Sequence, residues 1–173
     1  SYKMVIPESV KEIGQQAFLY STGIKKVTYG EPVKEGTIVI PKTVKSIGKE
    51  VFTGCSELET VKWPEQIKTI PNQAFQDCKK LKEVILPKGL EEIGYRAFSQ
   101  CTSLEKIFIP KTVVRSGNFS GYFGRWFQGC DKLKEIVLEE GTSRIVEGSF
   151  NGILSSYKMV IPESVKEIGQ QAF

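Results

Sequence analysis

The sequence repeats with a period of 23 residues, and this period constrains the fold more than any other feature. Phenylalanine marks it, and successive marker residues are separated by 34, 23, 23, 29, 23 and 23 positions. The two longer separations correspond to insertions of 11 and 6 residues, near residues 30–40 and 118–124. Fixed periods of about 20 to 50 residues are typical of proteins built from stacked repeats. The markers are Phe18, Phe52, Phe75, Phe98, Phe127, Phe150 and Phe173.

Within each unit the apolar residues occupy constant positions. Val61 and Trp63 alternate with polar residues before Pro64, which predicts a short strand with one buried face that ends at the proline. The later apolar positions, from Ile67 to Cys78, lie three or four residues apart and predict short helical or 3-10 return arms. One unit cannot bury its own apolar face, whereas stacked units share a core. The sequence therefore predicts an α/β repeat solenoid, a right-handed coil of about seven turns of 23 residues.

The repeat unit has the pattern IPxxVxxIGxxAFxxCxxLxxV, represented here by residues 40–61. This pattern resembles the BspA-like leucine-rich repeats, found mainly in bacterial surface proteins and in some protist ones. The resemblance covers essentially the whole chain and implies a curved solenoid with a parallel sheet on its concave face. It also implies a non-catalytic role in adhesion to host proteins or to other cells, on a protein that is secreted or held at the cell surface.

Residues 1–18 and residues 156–173 have identical sequences, at an offset of 155 residues. Other repeats differ far more, since residues 5–18 and 39–52 share only eight of fourteen positions. Either a 155-residue unit is duplicated in tandem or the copy was engineered. We expect residues 1–173 to be a single leucine-rich-repeat domain from a larger repeat protein, and we expect end-to-end self-association through its terminal turns.

The composition argues against several classes of function. Histidine, the side chain that most often transfers protons near neutral pH, is absent. The net charge of +4 is spread along the chain, which does not indicate a nucleic-acid partner. No apolar stretch approaches the roughly 18 to 20 residues of a membrane span, and no phosphate-binding loop motif occurs. The sequence predicts no enzymatic activity, no cofactor and no membrane insertion of this segment.

Four cysteines follow a marker phenylalanine at a distance of three residues, namely Cys55, Cys78, Cys101 and Cys130. One thiol per turn produces a row instead of the tetrahedral cluster that zinc requires, so we expect no metal site. The row coincides with an inward position of the repeat. We predict buried free thiols that act as small apolar side chains.

The first candidate contact surface is a row of outward residues on the concave strands. The row is apolar in six of its seven turns. An exposed apolar stripe usually marks an interaction site, although β-branched residues also favour strands for structural reasons alone. The members are Val5, Val39, Lys62, Ile85, Phe108, Val137 and Val160.

The second candidate surface is the 118–124 insertion, which carries Phe119, Tyr122 and Phe123 and is followed by Arg125. Aromatic residues and arginine are enriched in interface hot spots, and aromatic rings also suit stacking on a sugar. Alternatively, the loop packs on the solenoid flank and fills an irregular turn. We predict a host or cell-surface protein as the partner. A glycan-binding module and a structural spacer without a ligand are the alternative functions.

The 30–40 insertion leaves two conformations open. Residues 24–29 and residues 38–40 both match the strand position of the repeat. A parallel crossover normally takes a dozen or more residues, and this connection is shorter. The first segment therefore either forms a hairpin with the next or bulges out as a truncated turn.

Overall fold

The computed structural model describes residues 4–173 as a stack of short strands and turns, with no helix in that part of the chain. In chain order the strands are β1 (Glu12–Ile13), β2 (Lys26–Thr28), β3 (Thr37–Val39), β4 (Ser46–Ile47), β5 (Thr60–Lys62), β6 (Thr69–Ile70), β7 (Glu83–Ile85), β8 (Glu92–Ile93), β9 (Lys106–Ile109), β10 (Arg115–Ser116), β11 (Asn118–Phe119), β12 (Tyr122–Phe123), β13 (Glu135–Leu138), β14 (Arg144–Ile145), β15 (Lys158–Val160) and β16 (Glu167–Ile168).

In residues 4–173, all strands except β11 and β12 form two parallel ladders, which confirms the predicted parallel sheet. The long ladder contains the strands of three or four residues, in the orders β3-β2-β5-β7 and β9-β13-β15. The short ladder contains two-residue strands, in the orders β1-β4, β6-β8-β10 and β14-β16. The breaks in one ladder fall where the other is continuous. Strand β8 pairs with β10 across the break between β7 and β9, and β9 pairs with β13 across the break between β10 and β14.

The return arms are runs of tight turns, so the prediction of helical or 3-10 arms is wrong for residues 4–173. In the arm at residues 71–78, alternate amides bond within the arm, as when Ala74 N donates to Pro71 O over 3.2 Å. The amides between them bond to the next turn, as when Phe75 N donates to Ala97 O over 2.8 Å. In a helix, the amides after the first turn bond internally and would not be available to the neighbouring turn of the stack.

The alternating direction of the arm amides requires left-handed backbone at two positions of most arms. These positions lie two residues before and two residues after the marker phenylalanine. In the arm at residues 71–78 these are Gln73, with φ 57°, and Asp77, with φ 61°. Left-handed backbone costs an L-residue about 1 to 2 kcal/mol. Glycine avoids most of this cost and occupies several equivalent positions, at Gly54, Gly129, Gly148 and Gly152. The amides that the alternation turns outward form the hydrogen bonds between turns, which offset the strain.

The seven marker phenylalanines form one column through the core. From Phe18 to Phe127, neighbouring ring centroids lie 5.2 to 5.6 Å apart and the rings are within 10° of parallel. The column continues to Phe150 at 6.4 Å and to Phe173 at 6.0 Å. Offset stacking at this separation is a favoured arrangement of aromatic rings. One cluster of buried apolar residues, from Ile13 to Ala172, surrounds the column.

The 30–40 insertion joins two strands that pair in parallel, so the hairpin alternative is wrong. Strand β3 pairs in parallel with β2, placing Val27 beside Ile38, and both side chains are fully buried. Strand β2 also pairs with β5, so β3 lies on the opposite edge of β2. The loop returns through Gly36, with φ 70°, whose carbonyl accepts a hydrogen bond from Lys26 N. A short crossover suffices because this loop contains no return arm of its own. Both β2 and β3 therefore enter the long ladder without an arm between them.

Replacement of Phe75 by alanine tests the importance of the column. Because Phe75 is fully buried between two stacked rings, we expect Phe75→Ala to lower the free energy of unfolding by about 3 to 5 kcal/mol. Urea denaturation monitored by circular dichroism measures this change. Phe108→Ala, at a half-exposed site, is the matched control and should change stability by less than about 1 kcal/mol. Equal effects of the two substitutions would contradict a central role for the column.

Two glycines provide a test of the turn conformation in the arms. Gly54 has φ 71°, and a Cβ there would overlap the ring of Tyr20, whereas a Cβ at Gly14 would meet nothing within 4 Å. We expect Gly54→Ala to destabilise the fold by more than about 1 kcal/mol and Gly14→Ala to have little effect. The urea denaturation midpoints of the two variants, compared with that of the parent chain, measure these changes in stability. A neutral Gly54→Ala would contradict the left-handed geometry.

Candidate interaction surfaces

The outward side chains of the long ladder form the first surface, which we call the ladder face. Strand pairing places Lys62 beside Ile85, and Val137 beside both Phe108 and Val160. Ile85 and Phe108 are each 45% exposed, whereas Val39, Lys62 and Val137 are half-buried. Large apolar side chains therefore do reach the surface along this row. Their role in binding stays a prediction.

The ladder face is less continuous than the sequence row suggests. Thr28, which the row omits, pairs with Val39 and lies on the strand between β3 and β5. It is fully buried, and its hydroxyl donates to Glu31 Oε1 over 3.0 Å, so the insertion covers this part of the row. The break between β7 and β9 separates Ile85 from Phe108. The row therefore divides into two shorter groups of exposed side chains.

Tyr29 lies beside Lys62 of the ladder face. The ammonium of Lys62 lies 4.8 Å from the centroid of the Tyr29 ring, and the Tyr29 hydroxyl donates to Glu65 Oε1 over 2.8 Å. Burial, followed by this bond to a carboxylate, raises the pKa of Tyr29. Together with Lys68, Lys88 and neighbouring residues, these side chains line an open cleft of about 700 Å³.

The 118–124 insertion, expected to be a loop, forms an antiparallel hairpin of strands β11 and β12. Ser120 and Gly121, with φ 51° and 83°, occupy the turn, and Gly121 N donates to Asn118 Oδ1 over 3.1 Å. Two consecutive residues with positive φ form the mirror-image turn that suits two-residue hairpins. The Ser-Gly pair between aromatic residues was the signal for this turn in the sequence.

One side of the hairpin carries a connected group of rings and guanidinium groups. Phe119 and Tyr122 are cross-strand partners, 51% and 57% exposed. Phe119 stacks on Tyr95, with 5.8 Å between ring centroids. Arg96 lies 5.3 Å from the Tyr95 ring, and Arg125 lies 5.4 Å from the Tyr122 ring. We call these five residues the aromatic–arginine patch.

The hairpin is fixed to the stack rather than projecting as a free loop. Asn72 Nδ2 donates to Asn118 O over 3.0 Å, while Asn72 Oδ1 accepts from Tyr95 N over 2.8 Å. A Cβ at Gly117 or at Gly124 would overlap backbone of a neighbouring turn, so both glycines permit close packing. The hairpin thus packs on the flank, as one alternative predicted, and still exposes its aromatic rings. Such preorganisation lowers the entropic cost of binding.

Sequence reasoning missed Tyr95, Arg96 and Asn72 as parts of this surface. A signal was available for one of them, because Tyr95 occupies a repeat position that is polar in five other units. Those units have Gln15, Lys49, Asn72, Glu147 and Gln170 there. An aromatic residue at a normally polar position marks a turn with an additional contact.

The opposite side of the hairpin borders a second open cleft of about 400 Å³, which we call the hairpin cleft. The sequence did not indicate it, because its walls come from three separate segments of the chain. It is lined by Gly121, Phe123, Arg144, Glu147, Gly148, Glu167, Gly169, Gln170 and Gln171.

The four cysteines are free and buried, which confirms the prediction. Each Sγ donates to the carbonyl of the marker phenylalanine of the preceding turn, as Cys78 Sγ does to Phe52 O over 3.2 Å. Burial raises the pKa of Cys55 to about 11 and that of Cys130 to about 12. Burial also raises the pKa values of Cys78 and Cys101, and the neighbouring cysteines add to the effect. None of these thiols has the depressed pKa of a nucleophile.

Because burial raises the pKa values of these thiols, we predict that the free energy of unfolding falls at alkaline pH. Because their pKa values are raised in the folded state, their contribution is complete below the ordinary value of 9.0 and declines as pH rises through about 11 to 12. We expect the free energy of unfolding to fall more steeply above pH 9 in the parent chain than in Cys130→Ala. Urea titrations across this range measure the difference. Parallel pH profiles would show that the thiols do not contribute.

Within residues 4–173, no group of three or more cysteine, aspartate and glutamate side chains is placed to hold a metal ion. That part of the chain also contains no helix long and apolar enough to cross a membrane.

Parallel strands recurring with each 23-residue unit around a buried column define a leucine-rich-repeat protein. The chain belongs to the BspA type of leucine-rich repeat, whose family model matches residues 2–36, 34–122 and 122–173 in six copies. No curated protein matches the chain.

Several solved structures share this fold. A leucine-rich repeat protein of T. pallidum has a TM-score of 0.69 and 26% identity, over 92% of this chain and 67% of that one. A leucine-rich repeat protein from Bacteroides ovatus has a TM-score of 0.60 and 27% identity, over 92% of this chain and 43% of that one. A leucine rich cell surface protein from Faecalibacterium prausnitzii has a TM-score of 0.58 and 26% identity, over 96% and 56%. The chain thus spans only part of each of these proteins.

Proposed function

We infer that this chain is a non-catalytic protein-recognition module of the adhesion type. The observation that carries this proposal is the aromatic–arginine patch, in which two half-exposed rings are each in contact with further side chains of the patch. Tyrosine and arginine are among the residues that dominate measured binding energies at protein interfaces. The rings contribute apolar area at a small cost in side-chain entropy, and the guanidinium groups donate hydrogen bonds to a carboxylate of the partner.

The charges in the patch support a partner that carries acidic groups. Arg96 and Arg125 form no ion pair among the described residues, so both remain able to pair with an acidic group. The partner surface should therefore combine apolar or aromatic side chains with carboxylates. A host or cell-surface protein supplies such a surface.

The ladder face is the second part of the proposed contact region. It would contribute Val39, Lys62, Ile85, Phe108 and Val137, with Ile85 and Phe108 the most exposed of these five. This surface supports a more apolar contact, since four of the five side chains have no charge. The two surfaces arise from different parts of the repeat and can be tested separately.

The proposed location is the cell surface or the extracellular space. The F. prausnitzii protein of the same fold is described as a cell surface protein. Buried free cysteines are compatible with that location, because burial and raised pKa values protect them from oxidation.

The test compares two surface variants in binding to intact cells and to purified extracellular-matrix proteins. We expect the double variant Phe119→Ser, Tyr122→Ser to lose at least about tenfold in affinity, because it removes both exposed rings of the patch. Phe108→Ser probes the ladder face, and Leu154→Ser, at an exposed apolar site outside both surfaces, is the control. Surface plasmon resonance or cell attachment to the immobilised chain gives the readout.

Each outcome has a distinct meaning. If only Phe108→Ser abolished binding, the contact would lie on the ladder face and the proposal for the aromatic–arginine patch would be rejected. Equal binding by all variants would reject both surfaces, and no binding by the parent chain would favour a structural spacer without its own ligand.

A further inference from the structure

The hairpin has a second face that the proposed protein contact does not use. Because Phe123 pairs with Asn118 rather than with Phe119 or Tyr122, it lies on the other side of the hairpin from the aromatic–arginine patch. Phe123 is 42% exposed and lines the hairpin cleft. The volume of this cleft, about 400 Å³, lies within the range of small-ligand sites.

The wall facing Phe123 consists of hydrogen-bonding groups held in fixed positions. Arg144 Nη2 donates to Glu147 Oε2 over 3.0 Å and to Glu167 Oε1 over 3.3 Å. One guanidinium therefore holds two carboxylates from successive turns. Gln170 and Gln171 add two exposed side-chain amides that form no hydrogen bond with the described residues.

The charges and hydrogen-bonding groups of the hairpin cleft favour one chemical class of ligand. One guanidinium against two carboxylates leaves the cleft with a net charge of −1, which disfavours phosphate, sulfate and carboxylate groups. An apolar ligand would displace water from the exposed amides of Gln170 and Gln171 and leave them without partners. A pyranose ring has an apolar C–H face and a rim of hydroxyl groups. Phe123 offers a surface for that face, while carboxylates accept, and amides both donate and accept, hydrogen bonds with neighbouring hydroxyls.

We propose that the hairpin cleft binds a neutral saccharide, with one pyranose ring stacked on Phe123. Glu147 and Gln171 hydrogen-bond to the hydroxyls of that ring. The cleft is open on one side, so the ring can belong to a longer glycan. Because one aromatic ring and a few polar groups provide the contacts, we expect weak binding of an isolated oligosaccharide, with a dissociation constant of about 1 mM.

The duplicated sequence supplies a matched control. Gln16 and Gln171 are equivalent residues of the identical 18-residue segments, and both have left-handed backbone, with φ 59° and 53°. The first copy contains no hairpin, and Gln16 Nε2 there donates to Glu50 Oε2 over 2.9 Å. A saccharide that recognises the cleft should therefore depend on Gln171 and not on Gln16.

The experiment titrates the isotope-labelled chain with lactose, cellotriose and mannotriose and follows amide resonances by NMR. We expect at least one of these sugars to shift the Gln171 side-chain amide and the Gly148 and Gly169 backbone amides in a saturable manner. Phe123→Ala should weaken this binding at least about tenfold, and Gln171→Ala should weaken it measurably. Phe119→Ala, on the opposite face, and Gln16→Ala should leave it unchanged.

Three results would overturn the proposal. The first is no saturable shift with any of the three sugars. The second is equal affinity of Phe123→Ala and the parent chain, and the third is equal dependence on Gln16 and Gln171. Because Gln171 is exposed, its substitution tests the cleft even where Phe123→Ala disturbs the hairpin. The protein contact is tested by Phe119 and Tyr122, so failure of one proposal leaves the other intact.

Discussion

Hydrogen bonding between turns is the constraint on which the rest of this structure depends. In each arm, every second amide points to the next turn of the stack. This direction arises because arm residues such as Gln73 and Asp77 have left-handed backbone. The phenylalanine column has a spacing of 5.2 to 5.6 Å over its first five rings, so it follows the same rise from turn to turn. Stacked rings and the bonds between turns are therefore mutually consistent. Helical arms would bond internally beyond their first turn and would leave fewer amides for the bonds between turns.

The two insertions show how such a stack accommodates additional residues. The 30–40 insertion adds a strand to the long ladder, and its loop buries Thr28. The 118–124 insertion interrupts the short ladder between β10 and β14 and forms a hairpin there. In both places the phenylalanine column continues without a gap, so the core tolerates insertions on its surface. Both candidate binding faces of the hairpin arise from the second insertion.

Several features could be predicted from residue spacing, and others could not. The recurrence of Phe75, Cys78 and Val84 at a constant period predicted the core, because a period of 23 requires equivalent residues to superpose. The helical arms were a wrong prediction, since apolar residues three or four positions apart also face inward in a run of alternating turns. The contact of Tyr95 with Phe119 could not be predicted, because it joins residues from different turns.

The sequence by itself determined the repeat and the buried position of the four thiols, because local periodicity repeats the same burial pattern in every turn. The parallel sheet was implied by the resemblance of the repeat to the BspA-like family. Tertiary structure alone decided where the insertions lie and what they face. The patch around Tyr122 and the cleft between Phe123 and Glu147 depend on how one turn packs on the next. That packing involves close approach at Gly124 and Gly148, which no spacing in the chain specifies.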